Sequence, residues 1–225
     1  MNSFDFFNKI YAINLDSRPD RWNSALKEFD RLDIVPRIKR IPGFVINKYQ
    51  DIRKNACIGN HLSHAFCLNL AKEVNAKNVL IFEDDVQFID DTLTILERSI
   101  NQLPEDWDML YLGANIEKPA YQISDNLAKL TFAYSTHAYS VNLSKPESSD
   151  FLDLLLKINL DENTIHNDVT YCEEIIPNYN CYVCVPIIAI QQPSFSDIEQ
   201  RFVNYDWMVS RFNSNLIKKD VEDQT

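Results

Sequence analysis

The feature that most constrains the fold is an apolar run, residues 79–82, that ends in three consecutive carboxylates, Glu83, Asp84 and Asp85. The run is too short for a helix, is rich in β-forming residues and is apolar at successive positions, which predicts a strand covered on both faces. Such strands belong to parallel α/β sheets, whose ligand crevices lie beyond the carboxyl ends of the strands. The pattern therefore predicts that the carboxylates reach a crevice of this kind.

Three adjacent negative charges repel one another and favour a site that also holds a positive charge. Carboxylate oxygens suit Mg²⁺ or Mn²⁺, ions that keep positions open for water and for substrate phosphates. The alternative is an acidic turn in solvent, because runs of charge usually mark solvated surface. On these three residues alone, both interpretations stay open.

Glycine is scarce and occurs only as Gly43, Gly59 and Gly113. Neither a G-x-G-x-x-G turn nor a P-loop can be written with glycines at these positions, which excludes the usual phosphate-binding loops. A phosphorylated ligand would therefore be held by a metal, by arginines or by a helix N-terminus.

Composition limits the partners and the compartment. The chain has 225 residues, 22 basic against 33 acidic with a net charge of −11, which gives no overall electrostatic reason to bind nucleic acid. No apolar stretch approaches the roughly 20 residues that a membrane-spanning helix needs, and the N-terminus has no basic signal region. Five cysteines, an odd number, fit a reducing compartment. We therefore expect a cytoplasmic protein without a membrane span.

Alternating strand and helix patterns predict a single α/β domain over residues 1–212 and a polar C-terminal tail over 213–225. The predicted strands are 10–15, 35–41, 79–82, 107–112, 130–134, 138–141 and 181–190, the last interrupted by Pro186. The predicted helices are 19–33, 56–74, 91–103 and 166–176, with a loop over 48–54 and a capping box at 144–147 that opens a further helix.

Several segments, in this order and spacing, resemble glycosyltransferase family 25, which includes lipopolysaccharide β-galactosyltransferases and collagen hydroxylysine galactosyltransferases. They are YAINLDSRPDRW (11–22), GNHLSH (59–64), LIFEDDV (80–86), DMLYLG (108–113), HAY (137–139), Asp168 and PIIAIQQPSFS (186–196). The resemblance implies a Rossmann-like GT-A fold with a mixed, mostly parallel sheet. It also implies a UDP-sugar donor, a divalent metal and inversion at the anomeric carbon. The chain departs from the family at Asn60, where a cysteine is usual.

The resemblance assigns the acidic motif to a metal, Mn²⁺ or Mg²⁺, that bridges the donor diphosphate. Asp85 is the expected first ligand, because it lies farthest past the strand. Glu83 is the second candidate ligand, and Glu83 and Asp84 are otherwise expected to hold metal-bound water or the ribose.

The same resemblance places the donor against the end of the first strand. Arg18 and Arg21 are expected to bind its phosphates, although Arg21 could instead form an ion pair on a helix surface. The backbone near Ile13 and Asn14 is expected to face the uracil.

Two further residues, Ser63 and His64, match a Ser-His pair of the family and are expected near the nucleotide. Without the resemblance, a lone histidine on an amphipathic helix is more often packed than functional.

An inverting transfer needs a base for the acceptor hydroxyl. Asp168 matches a late aspartate of the family and precedes a predicted helix, where it could equally serve as an N-cap. His166 is the second candidate base, and Glu173 or Glu174 the third.

The sequence thus predicts a metal-dependent enzyme that moves a hexose, galactose first and glucose next, from UDP to a hydroxyl of a glycan or a hydroxylysine. Its partners would be UDP-galactose or UDP-glucose and the acceptor. One alternative is a catalytically silent module of the same fold that binds a nucleotide-sugar or a glycan. Another is a metal-dependent phosphohydrolase or nuclease, which would need further ligands that the sequence does not offer.

Overall fold

The structure is a computed structural model that describes residues 2–145, 148–164 and 166–217. Its strands are β1 (Lys9–Asn14), β2 (Ile38–Pro42), β3 (Asn78–Glu83), β4 (Val86–Phe88), β5 (Met109–Tyr111), β6 (Ala120–Ser124), β7 (Leu127–Lys129), β8 (Ala138–Asn142), β9 (Cys181–Cys184), β10 (Ala189–Gln191), β11 (Ser194–Ser196), β12 (Arg201–Val203) and β13 (Leu216–Ile217). Its helices are α1 (Pro19–Arg31), α2 (Ile52–Glu73), α3 (Thr92–Gln102), α4 (Ser148–Leu160), α5 (Asn167–Thr170) and α6 (Trp207–Asn215).

A nine-stranded sheet in the order β13-β6-β7-β9-β5-β8-β3-β1-β2 forms the centre of the molecule. The pairing directions make seven of these strands parallel to one another, while β7 and β8 run the opposite way. Two small sheets, β10-β4 and β11-β12, lie outside it. The predicted α/β class with a mixed, mostly parallel sheet is confirmed.

Apolar cores cover both faces of the sheet, as the continuous apolar strands require. In β3, Val79 and Ile81 pack into one core and Leu80 and Phe82 into the other. Helix α2 contributes to the first core, and helices α1 and α3 to the second. The prediction of a doubly covered strand ending in the acidic motif is therefore confirmed.

Two element predictions in the first half shift for local reasons. Helix α2 begins at Ile52 rather than 56, because the side chain of Asp51 caps it by accepting hydrogen bonds from the backbone N–H groups of Arg53 and Lys54. The predicted loop 48–54 is therefore half helical. The predicted strand 35–41 instead begins with a 3₁₀ turn, Val35–Arg37, and β2 follows it.

The second half contains strands that the sequence pattern does not indicate. The predicted strand 130–134 is wrong: β6 and β7 form an earlier hairpin, and Tyr134 makes only an isolated bridge to Asn115. Buried Asn126 fixes the hairpin turn, because its amide donates to the carbonyl of Val185. The predicted strand 181–190 splits at Pro186 into β9 and β10, which belong to different sheets.

The C-terminal part of the described chain belongs to the fold. Phe212 of α6 is buried in the first core, and β13 pairs with β6. Residues 213–217, assigned to the tail by the sequence pattern, therefore belong to the folded domain. Pro146 and Glu147 of the predicted capping box lie outside the described residues. Among the described helices, none combines the length and apolar character that crossing a membrane requires.

Candidate functional site

The carboxyl ends of β1, β2 and β3 meet at one edge of the sheet. In the strand register, Ile13 lies beside Glu83 and Asn14 beside Pro42. Beyond this edge is a cavity of about 570 Å³. Of the residues proposed from the sequence, it is lined by Ile13, Asn14, Arg21, Ser63, Glu83, Asp84, Asp85, His166 and Asp168.

Arg21 supplies a positive charge to the acidic motif. Its Nε lies 2.9 Å from Asp84 Oδ1 and its Nη2 lies 2.6 Å from Asp85 Oδ2. Both carboxylates are buried, at 7% and 8% exposure. The motif is therefore not an acidic turn in solvent. Arg21 is not a helix-surface ion-pair partner either, because its guanidinium turns inward from the first turn of α1.

Asn14 holds the other oxygen of Asp84. Its Nδ2 donates to Asp84 Oδ2 at 2.6 Å, and its Oδ1 accepts from Arg40 Nη2 at 2.7 Å. Arg40 also pairs with Asp16. The side chain of Asn14 is thus committed to fixing Asp84, and its backbone carbonyl already accepts from the N–H of Gly43 at 2.9 Å and from Arg40 Nη2 at 3.3 Å.

Glu83 is held from below the cavity. Its Oε1 accepts from the hydroxyl of Thr136 at 2.8 Å and lies 3.3 Å from His64 Nε2. The Nδ1 atom of His64 lies 3.0 Å from the Tyr139 hydroxyl. Burial raises the pKa of Glu83, but the hydrogen bonds from His64 and Thr136 outweigh it and lower that pKa overall. His64 is fully buried and does not line the cavity, so it orients Glu83.

The acidic motif carries more negative charge than Arg21 alone neutralises. Burial raises the pKa of Asp84 to about 6 and also raises that of Asp85, and Arg21 opposes both shifts. Asp85 Oδ1 is buried and has no hydrogen-bond partner among the residues that the structure describes. Two buried carboxylates thus share one guanidinium, with one oxygen unused.

A divalent cation at this oxygen would need further ligands. Mg²⁺ and Mn²⁺ are commonly held by one or two carboxylates together with substrate phosphates and water. Across the part of the chain that the structure describes, no three His, Cys, Asp or Glu side chains form a group that could hold a metal alone. A cation at Asp85 Oδ1 would therefore depend on oxygens from a ligand.

Asp168 lines the same cavity from the first turn of α5. Its Oδ2 accepts from the backbone N–H of Ser135 at 3.1 Å, and its Oδ1 from that of Val169 at 2.8 Å. The N-cap position belongs to His166, whose side chain makes no capping hydrogen bond. The N-cap alternative for Asp168 is therefore wrong.

A chain of hydrogen bonds links Asp168 to the acidic motif. The Ser135 hydroxyl donates to Gln191 Oε1 at 3.3 Å, and Gln191 Nε2 donates to Asp85 Oδ2 at 3.3 Å. Ser135 has a φ of 78°, a left-handed conformation that is uncommon for a residue with a Cβ. The two acidic positions are thus held in one framework.

Sequence reasoning missed the roles of Gln191 and Ser135. Gln191 belongs to the closing segment of the family resemblance, which drew attention to this position but did not indicate its role. It reaches Asp85 because β10 pairs with β4, placing Gln191 opposite Val86. Nothing in the local pattern around Ser135 indicates its conformation.

Ser63 shapes the cavity wall. Its hydroxyl donates to the Gly59 carbonyl at 2.7 Å and accepts from the backbone N–H of Phe44 at 2.9 Å. A Cβ on Gly59 would lie 2.3 Å from the Phe44 carbonyl oxygen. Gly59 and Ser63 therefore dock the loop after β2 onto α2, and this loop forms one side of the cavity.

His166 lies next to two groups of α2. Its Nδ1 is 3.6 Å from Cys57 Sγ, and the neighbouring backbone N–H of Asn167 donates to His61 Nε2 at 3.0 Å. Burial and the nearby His64 and His166 lower the pKa of His61 to about 4. His61 is therefore a neutral acceptor that attaches α5 to α2.

This pKa predicts a pH-dependent stability. In the unfolded chain, His61 is protonated below its pKa of 6.5. In the folded chain, it stays neutral until the pH falls to about 4. The stabilisation is present above pH 6.5 and is lost as the pH falls through this window. A His61→Gln variant keeps an acceptor but no titration. We expect the difference in free energy of unfolding between the wild type and this variant, measured with urea, to fall by about 2 kcal/mol from about pH 7.5 to about pH 5. A pH-independent difference would contradict this.

Arg18 does not line this cavity but lies in a neighbouring cleft, which shares Arg21, Asp84 and Asp85 with it. It forms the N-cap position of α1, followed by Pro19. Its guanidinium pairs with Asp20 and Asp197 rather than facing open space. The expectation that it binds phosphate therefore depends on displacing one of these partners.

Comparison with known proteins gives relatives in one family. No family model matches the chain. It is 27% identical to the human protein named inactive glycosyltransferase 25 family member 3, over 61% of this chain and 28% of that protein. It is 25% identical to a glycosyltransferase 25 family member of Aedes aegypti, over 60% of this chain and 26% of that protein. The family resemblance predicted from the motifs is confirmed.

The chain spans little more than a quarter of the length of these curated relatives. Among solved structures, it is similar to a glycosyltransferase involved in glycosylation of the major capsid of PBCV-1, with a TM-score of 0.49 and 8% identity over 92% of this chain and 97% of that one.

Proposed function

We propose that this chain, similar in sequence to glycosyltransferase 25 family members, transfers a hexose from a UDP-sugar to a hydroxyl group of a glycan or a hydroxylysine. UDP-galactose is the first candidate donor and UDP-glucose the second. The observation that carries the proposal is one cavity lined by a buried Asp84–Asp85 pair and by Asp168, joined through Ser135 and Gln191. The family similarity supports glycosyl transfer as the reaction at such a site.

Asp85 is the residue proposed to hold a divalent cation, Mn²⁺ or Mg²⁺, through its unused Oδ1. Glu83 is the second candidate, although His64 and Thr136 already occupy its Oε1. When bound, the cation would neutralise charge that develops on the departing diphosphate. Arg21 holds Asp84 and Asp85 in place, and Asn14 fixes the outer oxygen of Asp84.

Asp168 is proposed to be the general base. Its carboxylate would accept the proton of the acceptor hydroxyl while that oxygen forms a bond to the anomeric carbon. The bond from this carbon to the phosphate oxygen breaks, and UDP leaves with the electron pair. Attack from the face opposite UDP inverts the anomeric centre. The N–H groups of Ser135 and Val169 orient the carboxylate for this transfer.

A second candidate function is a silent module that binds the nucleotide-sugar without turnover. The observation that favours it is the Arg21 ion pair, which already neutralises part of the motif's charge without a metal. Several of the similar relatives also carry the word inactive in their names. This candidate predicts donor binding at the same cavity and no transfer.

One assay separates these functions. The protein is incubated with UDP-galactose or UDP-glucose, with Mn²⁺ or with a chelator, and UDP release is measured with and without a hydroxylysine or glycan acceptor. We expect release that requires Mn²⁺ and rises with an acceptor. UDP binding by calorimetry without release from either donor would favour the silent module. Absence of both binding and release would contradict both functions.

A further inference from the structure

The hairpin formed by β11 and β12 lies beside the acidic motif. It is hydrogen-bonded within itself and is separate from the nine-stranded sheet. The side chains of Phe195 and Phe202, paired across its strands, are 46% and 67% exposed. Burial of these two side chains therefore contributes little to holding the hairpin in place. Its first strand is anchored through Gln192, whose backbone N–H donates to the carbonyl of Asp85.

Asp197, directly after β11, carries a carboxylate that lies between two guanidinium groups. Its Oδ2 is 2.5 Å from Arg18 Nη1 and 3.9 Å from Arg21 Nη1. The same Nη1 of Arg18 donates to the carbonyl of Phe195 at 3.3 Å. The hairpin is thus connected to α1 through Arg18, across more than 170 residues of sequence.

A carboxylate between two arginines occupies the place where an anionic ligand would bind. Both arginines have their remaining donors on other acidic groups: Arg18 on Asp20, and Arg21 on Asp84 and Asp85. The Nη1 atoms that face Asp197 are the ones directed toward the hairpin. Asp197 is only partly buried, with 35% of its side chain exposed, so a ligand can reach it. A diphosphate offers more charge and more acceptor oxygens than one carboxylate and suits arginine donors better.

We propose that the Asp197 carboxylate pairs with Arg18 in the free protein as an internal anion. The diphosphate of the donor displaces this carboxylate and thereby moves the hairpin. This inference rests on the proposed function, because it assigns the ligand as a nucleoside diphosphate. Asp197 then sets the affinity for the donor: each binding event must first break the Arg18–Asp197 pair. The Arg18–Asp197 pair therefore lowers the affinity for the donor, and its breakage on ligand binding releases the hairpin.

The test is a gain in affinity on removing a side-chain charge. An Asp197→Asn variant keeps the size of the side chain but no longer competes for Arg18. We expect it to bind UDP and inorganic pyrophosphate about three- to tenfold more tightly than the wild type at fixed ionic strength, measured by calorimetry. An Asp197→Ser variant provides a second test that does not depend on the asparagine amide.

Asp20→Asn is the matched control. It removes the same charge from the same arginine, but Asp20 is 65% exposed in its side chain and does not bridge to the hairpin. Its effect on affinity should be clearly smaller. In an Arg18→Gln background, the Asp197→Asn change should no longer tighten binding. Hydrogen exchange of residues 194–203 should rise when UDP is added to the wild type and change little in Asp197→Asn.

The outcomes separate this inference from the function on which it rests. If the wild type binds UDP and Asp197→Asn binds equally or more weakly, the inference is overturned and the function stands. Equal gains from Asp197→Asn and Asp20→Asn would also overturn it, because general electrostatics would then suffice. If neither the wild type nor the variants bind UDP or pyrophosphate, both proposals fail.

Discussion

Replacing Asp85 with asparagine is expected to lower metal-dependent UDP affinity and sugar transfer by about 100-fold or more. The reason is the position of its carboxylate. One oxygen pairs with Arg21 and accepts from Gln191, while the other is buried and has no partner in the described part of the chain. Asparagine keeps the shape and removes the negative charge that would bind a cation. Arg21 retains its contact with Asp84, so the fold should persist.

The measurement is UDP affinity by calorimetry with Mn²⁺ and with a chelator. In the wild type, the chelator should weaken binding, and in Asp85→Asn the two conditions should give the same affinity. Asp90→Asn is the matched control, because Asp90 is fully exposed and its substitution removes the same charge outside the cavity. An Asp85→Asn protein that still binds UDP more tightly with Mn²⁺ would remove Asp85 from the metal site.

Replacing Asp168 with asparagine should reduce turnover by about 10²- to 10⁴-fold while leaving UDP affinity unchanged. An amide cannot accept the acceptor proton, so the loss falls on the chemical step. Asp168 touches the backbone N–H groups of Ser135 and Val169 rather than the acidic motif, which explains why donor binding should survive. Single-turnover transfer and UDP calorimetry on the same preparation measure the two effects.

His166→Gln is the comparison that assigns the base. His166 also lines the cavity, and its Nδ1 faces Cys57. If Asp168 is the base, Asp168→Asn should be the slower enzyme by a wide margin. A His166→Gln protein that is inactive beside an active Asp168→Asn protein would transfer the role to His166. Glu173 and Glu174, the third candidates, are exposed and are not among the residues that line the cavity, so Glu173→Gln serves as a negative control on the same segment.

The central sheet could be predicted because its signals are local. A short apolar run rich in β-forming residues, such as 79–82, indicates a strand covered on both faces, and the parallel pairing of β1 with β3 brings the carboxyl ends of these two strands together. The acidic motif at that edge follows from the same pattern. Asp84 and Asp85 therefore line the cavity beyond this edge, which Asp168, indicated by the family resemblance alone, also lines.

The contacts within the site could not be predicted because they depend on strand direction. Strand β8 runs antiparallel between β3 and β5, so it begins at the edge where its neighbours end. Ser135 and Thr136, which precede it, thereby reach Asp168 and Glu83. No periodicity reveals such an insertion. Likewise, Arg21 could be read as a surface residue until the direction of its side chain was known.

The separate hairpin of β11 and β12 has a consequence for evolution and engineering. Because its ladder is not shared with the nine-stranded sheet, changes at its exposed phenylalanines should alter the rim of the site with little loss of folding stability. Surface changes of this kind usually cost less than about 0.5 kcal/mol. New acceptor or donor preferences could thus be selected in this segment of the chain while the sheet that carries the carboxylates stays unchanged.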